Sequence, residues 1–144
     1  DDLQKQIDKV LEDDGVAVCV FDADVARDKP AERKKLEAMQ KKYAGKEQVI
    51  LCDSMPSIEF WFLIHYLNTN KYFASSTDVI KVLRRFLPDF SKHETYLAKE
   101  KWVVDMIANG KQDIAMDRAK GFGMTGESYS NIYKAFEKFM ELNS

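Results

Sequence analysis

Residues 16–24 read VAVCVFDAD, a valine-rich apolar run from Val16 to Phe21 that ends in two aspartates, Asp22 and Asp24, one residue apart. The run lacks polar alternation. It therefore predicts a central β-strand covered on both faces. Working outward, Leu3, Ile7, Val10 and Leu11 lie at i, i+4, i+7 and i+8, which predicts an amphipathic helix over 2–13 that Asp14-Gly15 ends. Downstream, Pro30 opens a charged helix over 30–44, with Leu36, Met39 and Tyr43 on one side and Gly45 as its stop. Val49 to Cys52 is a second short apolar run. Strand, helix and strand in this order define a βαβ unit with a parallel pair.

From Pro56 the chain is apolar on every helical face, through Ile58, Phe60, Trp61, Phe62, Leu63, Ile64, Tyr66 and Leu67. A helix without a polar face belongs in a core. Glu59 and His65 interrupt it and need an explanation. Beyond Asn68-Thr69-Asn70 the pattern predicts helices at 76–87, 94–109, 111–120 and 127–142, with a glycine-rich connector at 121–126. The expected architecture is α/β: a small, mostly parallel sheet flanked by helices, then a helical C-terminal region. One domain spans 1–144, with an α/β part at 1–70 and a helical part at 71–144.

Composition limits the functional classes. A chain of 144 residues with 45% hydrophobic and 32% charged residues can bury a sizeable core. The net charge of −2 provides no global field for nucleic acid or membrane. The apolar run Ile58–Leu67 is far shorter than the ~20 residues that cross a bilayer. Cys19 and Cys52 each sit in an apolar run, as small buried hydrophobes do, which points to a reducing, cytoplasmic setting. The chain enters a helical pattern at Asp1-Asp2-Leu3 without an initiator Met, as a piece of a longer protein would.

Two readings of the aspartates stand side by side. At i and i+2 on extended backbone, both carboxylates point the same way at the carboxyl end of a strand, where open α/β sheets gather ligands. Mg²⁺, or Mn²⁺, takes one or two such carboxylates and keeps its other positions for water and phosphate. The alternative is a solvated turn with an aspartate capping the next helix. Glu59 stands early in its helix, where negative charge is favoured, and a buried carboxylate should meet a cation, a metal or a backbone amide. His65 lies roughly 240° from Glu59 around the axis, so the two do not face the same way. It reads as a core histidine or a catalytic one. Lys92, just after the Pro88 break, sits where it can reach a phosphate. The other basic clusters, Arg33-Lys34-Lys35, Lys41-Lys42, Arg84-Arg85 and Lys99 with Lys101, read as solvated helix faces. No zinc spacing, Ser-His-Asp arrangement or phosphate-binding P-loop appears.

VFDAD at 20–24, SMPSIEFWFLIHY at 54–66 and LRRFLPDFSK at 83–92 together resemble the RloB-like family of bacterial proteins. Ser54, Pro56, Glu59, Trp61, Leu63 and His65 match its middle motif, whereas Met55, Ile58 and Ile64 depart from it. Phe90 replaces the usual Tyr ahead of Lys92. The resemblance covers roughly residues 16–140. It implies a variant of the TOPRIM fold, the metal-binding α/β module of topoisomerases, primases and OLD-type nucleases. Asp22 and Asp24 would be its metal-binding D-x-D, with Glu59 as a ligand or anchor converging on the same cavity. The same resemblance implies nucleic-acid processing in phage defence, as a nuclease-like or phosphoryl-transfer module. The glutamate motif of TOPRIM proteins, E-G-x-T-E on an earlier strand, has no counterpart before residue 16. A sheet lacking that strand has an exposed edge open to a second copy, a homodimer. The alternatives are a non-catalytic protein-interaction module and a small-nucleotide binder.

Overall fold

The structure is a computed structural model, and it describes residues 2–123 and 127–144. Its core is a three-stranded sheet in the order β1-β2-β3, formed by β1 (Ala17–Asp22), β2 (Val49–Met55) and β3 (Tyr129–Ser130). β1 and β2 run parallel with Ala17 opposite Val49 and Asp22 opposite Ser54, while β3 runs antiparallel to β2 through Ser54–Ser130 and Met55–Tyr129. The sheet is thus mixed.

Helix α1 (Asp2–Glu12) leads into β1. Its stop follows the sequence: Asp14 takes a left-handed φ of 55°, and the Gly15 N–H returns to the Val10 carbonyl at 2.9 Å. A Cβ on Gly15 would meet Val10 at 2.9 Å, so the turn needs the glycine. α1 and α3 (Pro30–Tyr43) cover one face of the β1–β2 pair with Ile7, Met39 and Tyr43, which pack on Ala17, Cys19 and Val49. Between β1 and α3 stands a short helix, α2 (Val25–Asp28), that the hydrophobic pattern does not announce.

The opposite face carries the larger core. The apolar helix α4 (Ile58–Leu63) packs there with α5 (Ser76–Leu83), α7 (Glu100–Ile107), α8 (Lys111–Phe122) and the residues around β3. This cluster joins Cys52 and Phe60 to Phe73, Leu83, Trp102, Ala115 and Ile132, so one core runs across residue 70. α6 (Glu94–Leu97) adds Tyr96, and α9 (Tyr133–Leu142) adds Phe136, stacked on Trp61 at 5.9 Å.

Five expectations need correction. β1 is covered on one face only: Val18 and Val20 remain 47% and 51% exposed, because among the described residues the strand pairs with β2 alone and α4 and α9 pack over β2. β2 continues past Cys52 through Asp53 and Ser54, which are buried although polar. The segment expected as helix 127–142 first forms β3, and its helix starts at Tyr133. The helix expected over 94–109 is two, α6 and α7, and a left-handed turn at Asn109 and Gly110 separates α7 from α8. Part of the glycine connector, Gly121 and Phe122, continues α8, and residues 124–126 of it lie outside the described residues. Cys19 and Cys52 are free and buried, and burial pushes the Cys52 thiol up to about 11. Among the described residues no helix is long and apolar enough to cross a membrane.

Candidate functional site at the carboxyl end of the parallel strands

The parallel register brings the exits of β1 and β2 together. The Ala23 N–H donates to the Ser54 carbonyl at 2.8 Å and the Asp24 N–H to the Pro56 carbonyl at 3.2 Å, so the two segments separate only after these bonds. Asp22, exposed at the strand end, accepts the Ile58 N–H on Oδ1 at 2.9 Å. It thereby satisfies one of the orphan donors at the start of α4. Ser57, at the position where a cap would sit, instead donates its hydroxyl to Glu59 Oε1 at 3.0 Å. Asp22 is therefore a cap, but of a helix 36 positions away and not of the helix that follows it.

Asp24 differs from the extended geometry that placed it beside Asp22. Its φ and ψ of −60° and −32° are helical, it opens α2, and its side chain makes no capping bond. Strand alternation thus ends at Asp22. The Asp24 side chain has no hydrogen-bond or ion-pair partner among the described residues, which leaves a half-buried carboxylate at the mouth of the strand pair.

Glu59 is 5% exposed, and its Oε1 also receives Lys92 Nζ at 3.3 Å. Lys92 in turn donates to Ser76 Oγ at 3.0 Å. The cation that a buried glutamate requires is this lysine, brought from 33 positions away by α5 and the turn after it. The expected convergence of Asp22, Asp24 and Glu59 is not found. Among the described residues no three His, Cys, Asp or Glu side chains group as ligands of a metal ion. Glu59 is paired with Lys92 instead, and one oxygen of Asp22 is engaged by the Ile58 N–H.

His65 is placed apart from these groups. It is 3% exposed in the larger core, its ring edge-on to Trp61 at 4.8 Å. Its Nδ1 lies 2.8 Å from the Trp61 carbonyl, and a carbonyl only accepts, so Nδ1 carries the proton. Nε2 is then a bare acceptor, buried with no partner among the described residues. Burial is the main cause that holds the His65 pKa below the ordinary value, and the Arg118 and Lys111 charges add to it. The folded chain therefore binds this proton less readily than the unfolded chain. Stability from neutral His65 is fully present above the unfolded pKa of about 6.5 and is lost as pH falls below it, by about 1.4 kcal/mol per pKa unit of depression. Urea denaturation at pH 7.5 and 5.5 should show this loss, and His65→Phe should remove that part of the pH dependence. An unchanged slope in the variant would contradict the assignment.

Sequence reasoning passed over Asp53. It is 2% exposed and accepts Tyr129 Oη at 2.8 Å and Asn131 Nδ2 at 2.9 Å, which ties β3 to β2. Burial and the neighbouring Asp53 charge push the Tyr129 phenol far up, so it stays a donor. The available signal was an acid directly after an apolar run.

The fold and this site define an α/β protein with carboxylates at the carboxyl end of a parallel strand pair, next to a buried glutamate–lysine pair. The chain matches the sequence model of the RloB-like protein family over residues 3–139, and it belongs to that family. No curated protein and no solved structure matches it.

Proposed function

We propose that this chain is a nuclease-like phosphoryl-transfer module of TOPRIM type that acts on nucleic acid with Mg²⁺, or Mn²⁺, in bacterial phage defence in the cytoplasm. The observation that carries the reading is the pair of acids at the carboxyl end of the parallel strands, one of which, Asp24, has a carboxylate without a partner among the described residues. Hard carboxylate oxygens are the donors that Mg²⁺ selects, and two suffice when water and phosphate fill the remaining positions. Asp22 and Asp24 would hold the ion, which would supply positive charge against the charge that develops on a scissile phosphate. Asp22 is oriented for this by the Ile58 N–H, which occupies one oxygen and leaves the other. Glu59 acts as an anchor. It fixes the Lys92 ammonium beside Ser76, and a lysine attracts a phosphate as a point charge. The test is cleavage of labelled single- and double-stranded DNA and RNA with Mg²⁺ or Mn²⁺. Divalent-dependent cleavage that drops at least a hundredfold in Asp24→Asn is expected. Absence of cleavage of all four substrates would contradict the reading.

A second reading, a non-catalytic protein-interaction module, is favoured by the open edge of β1. In its ladder with β2 the Ala17 and Ala23 N–H groups point inward, so the peptide groups of Val18 and Val20 face outward, and both side chains are exposed. Such an edge accepts a further strand, including that of a second copy in a homodimer. Sedimentation equilibrium distinguishes it: a dimer that Val20→Lys dissociates, in a chain without cleavage activity, would support this reading, and a wild-type monomer would remove the homodimer.

A further inference from the structure

A cavity of about 360 Å³ opens between the first turns of α5 and the turn that carries Lys92. Ser76, Thr77 and Arg84 line one wall, and Ser91, Lys92 and His93 the other. We propose that this cavity binds a phosphate group. Its charged lining consists of cations alone, Arg84 and Lys92 with His93 beside them, and no acid lines it. Three hydroxyls complete the wall, so every polar side chain in it can donate.

Two of the cations are held in place by the fold. Arg84 spends only Nε, which donates to the Phe90 carbonyl at 3.0 Å, and its two terminal nitrogens have no partner among the described residues. That leaves the forked end that matches a phosphate. Lys92 is steadied by Glu59, which is buried and does not line the cavity, and by Ser76 Oγ at 3.0 Å. Glu59 neutralises much of the Lys92 charge, so the free attraction comes chiefly from Arg84. The His93 ring has no partner among the described residues. The first turn of α5 contributes Ser76 and Thr77 to the same wall, and Ser75 makes no side-chain bond to its N–H groups.

This inference extends the phosphoryl-transfer reading by giving the substrate a second phosphate contact away from Asp22 and Asp24. It needs no divalent ion, so it is tested with a chelator present. Inorganic phosphate, titrated against chloride at matched ionic strength, should raise the melting temperature saturably. Arg84→Gln and His93→Gln, both exposed positions, should each weaken phosphate affinity at least fivefold. Arg85→Gln, next in sequence and outside the cavity lining, should stay within twofold of wild type. A 5′-phosphorylated oligonucleotide that binds more tightly than its 5′-hydroxyl twin identifies a strand end as the source of the phosphate. Binding of inorganic phosphate with no difference between the two oligonucleotides identifies a small phosphorylated molecule. Absence of a saturable effect beyond the chloride control, or an Arg85→Gln loss equal to that of Arg84→Gln, would overturn the proposal. Neither result bears on metal binding at the aspartates, so failure of one reading leaves the other standing.

Discussion

Asp53→Ala is expected to destabilise the fold by about 2–6 kcal/mol, read by urea denaturation at neutral pH. The substitution strips the partner from two buried donors, Tyr129 Oη and Asn131 Nδ2. Each orphaned buried polar group costs about 1–3 kcal/mol, more where the lost partner is charged. The loss also falls where the sheet is thinnest. β3 has two ladder positions, Ser54–Ser130 and Met55–Tyr129, supplemented by the Asn131 N–H to the Asp53 carbonyl at 2.8 Å and by the Ser54–Ser130 hydroxyl contact at 2.8 Å. Tyr129→Phe together with Asp53→Ala should lose less than the sum of the two single changes, because the phenol no longer needs a partner. A loss below about 1 kcal/mol for Asp53→Ala would show that β3 is held by other means.

Phe60→Ala should cost about 3–5 kcal/mol, the range for emptying a buried phenylalanine site. Phe60 is 0% exposed, and its ring meets those of Phe73 at 6.2 Å and Phe122 at 6.4 Å. These tilted contacts add to the area it buries. The consequence reaches the site, because Phe60 sits in the same turn as Ile58, which holds Asp22, and Glu59, which holds Lys92. Phe60→Leu retains most of the volume and should lose markedly less. Equal losses in the two variants would mean that the cavity is not the cause.

Much of this architecture was legible because it is local. The valine-rich run gave β1 and the second apolar run gave β2. The helix without a polar face proved to be core, with Phe60, Trp61 and Leu63 buried. That a buried Glu59 needs a cation, a metal or a backbone amide was also readable from its surroundings, though not which of them it meets. What could not be read depends on pairing over distance. Tyr129 and Ser130 lie in a stretch with helical spacing, and only Met55 and Ser54 across the sheet make them a strand. Val18 and Val20 read as doubly covered because a run of valines does not state how many neighbours its strand has. Asp22 and Ile58, and Glu59 and Lys92, meet through chain separations of 36 and 33 positions, which no local pattern encodes. Asp53 escapes notice, because an acid after an apolar run resembles a strand end until its two donors arrive from the other end of the chain.

Asp24 is the cleanest handle on the proposed metal binding, since Asp22 also caps α4 and its replacement perturbs the helix. The decisive measurement is titration of the chain with Mn²⁺, free ion followed by its paramagnetic resonance signal, for wild type and Asp24→Asn at pH 7.5. The account predicts saturable binding near one ion per chain, competed by Mg²⁺ and weakened at least tenfold by Asp24→Asn. A wild-type chain that leaves all Mn²⁺ free, or an Asp24→Asn chain that binds it equally well, would contradict the assignment of the aspartates as ligands.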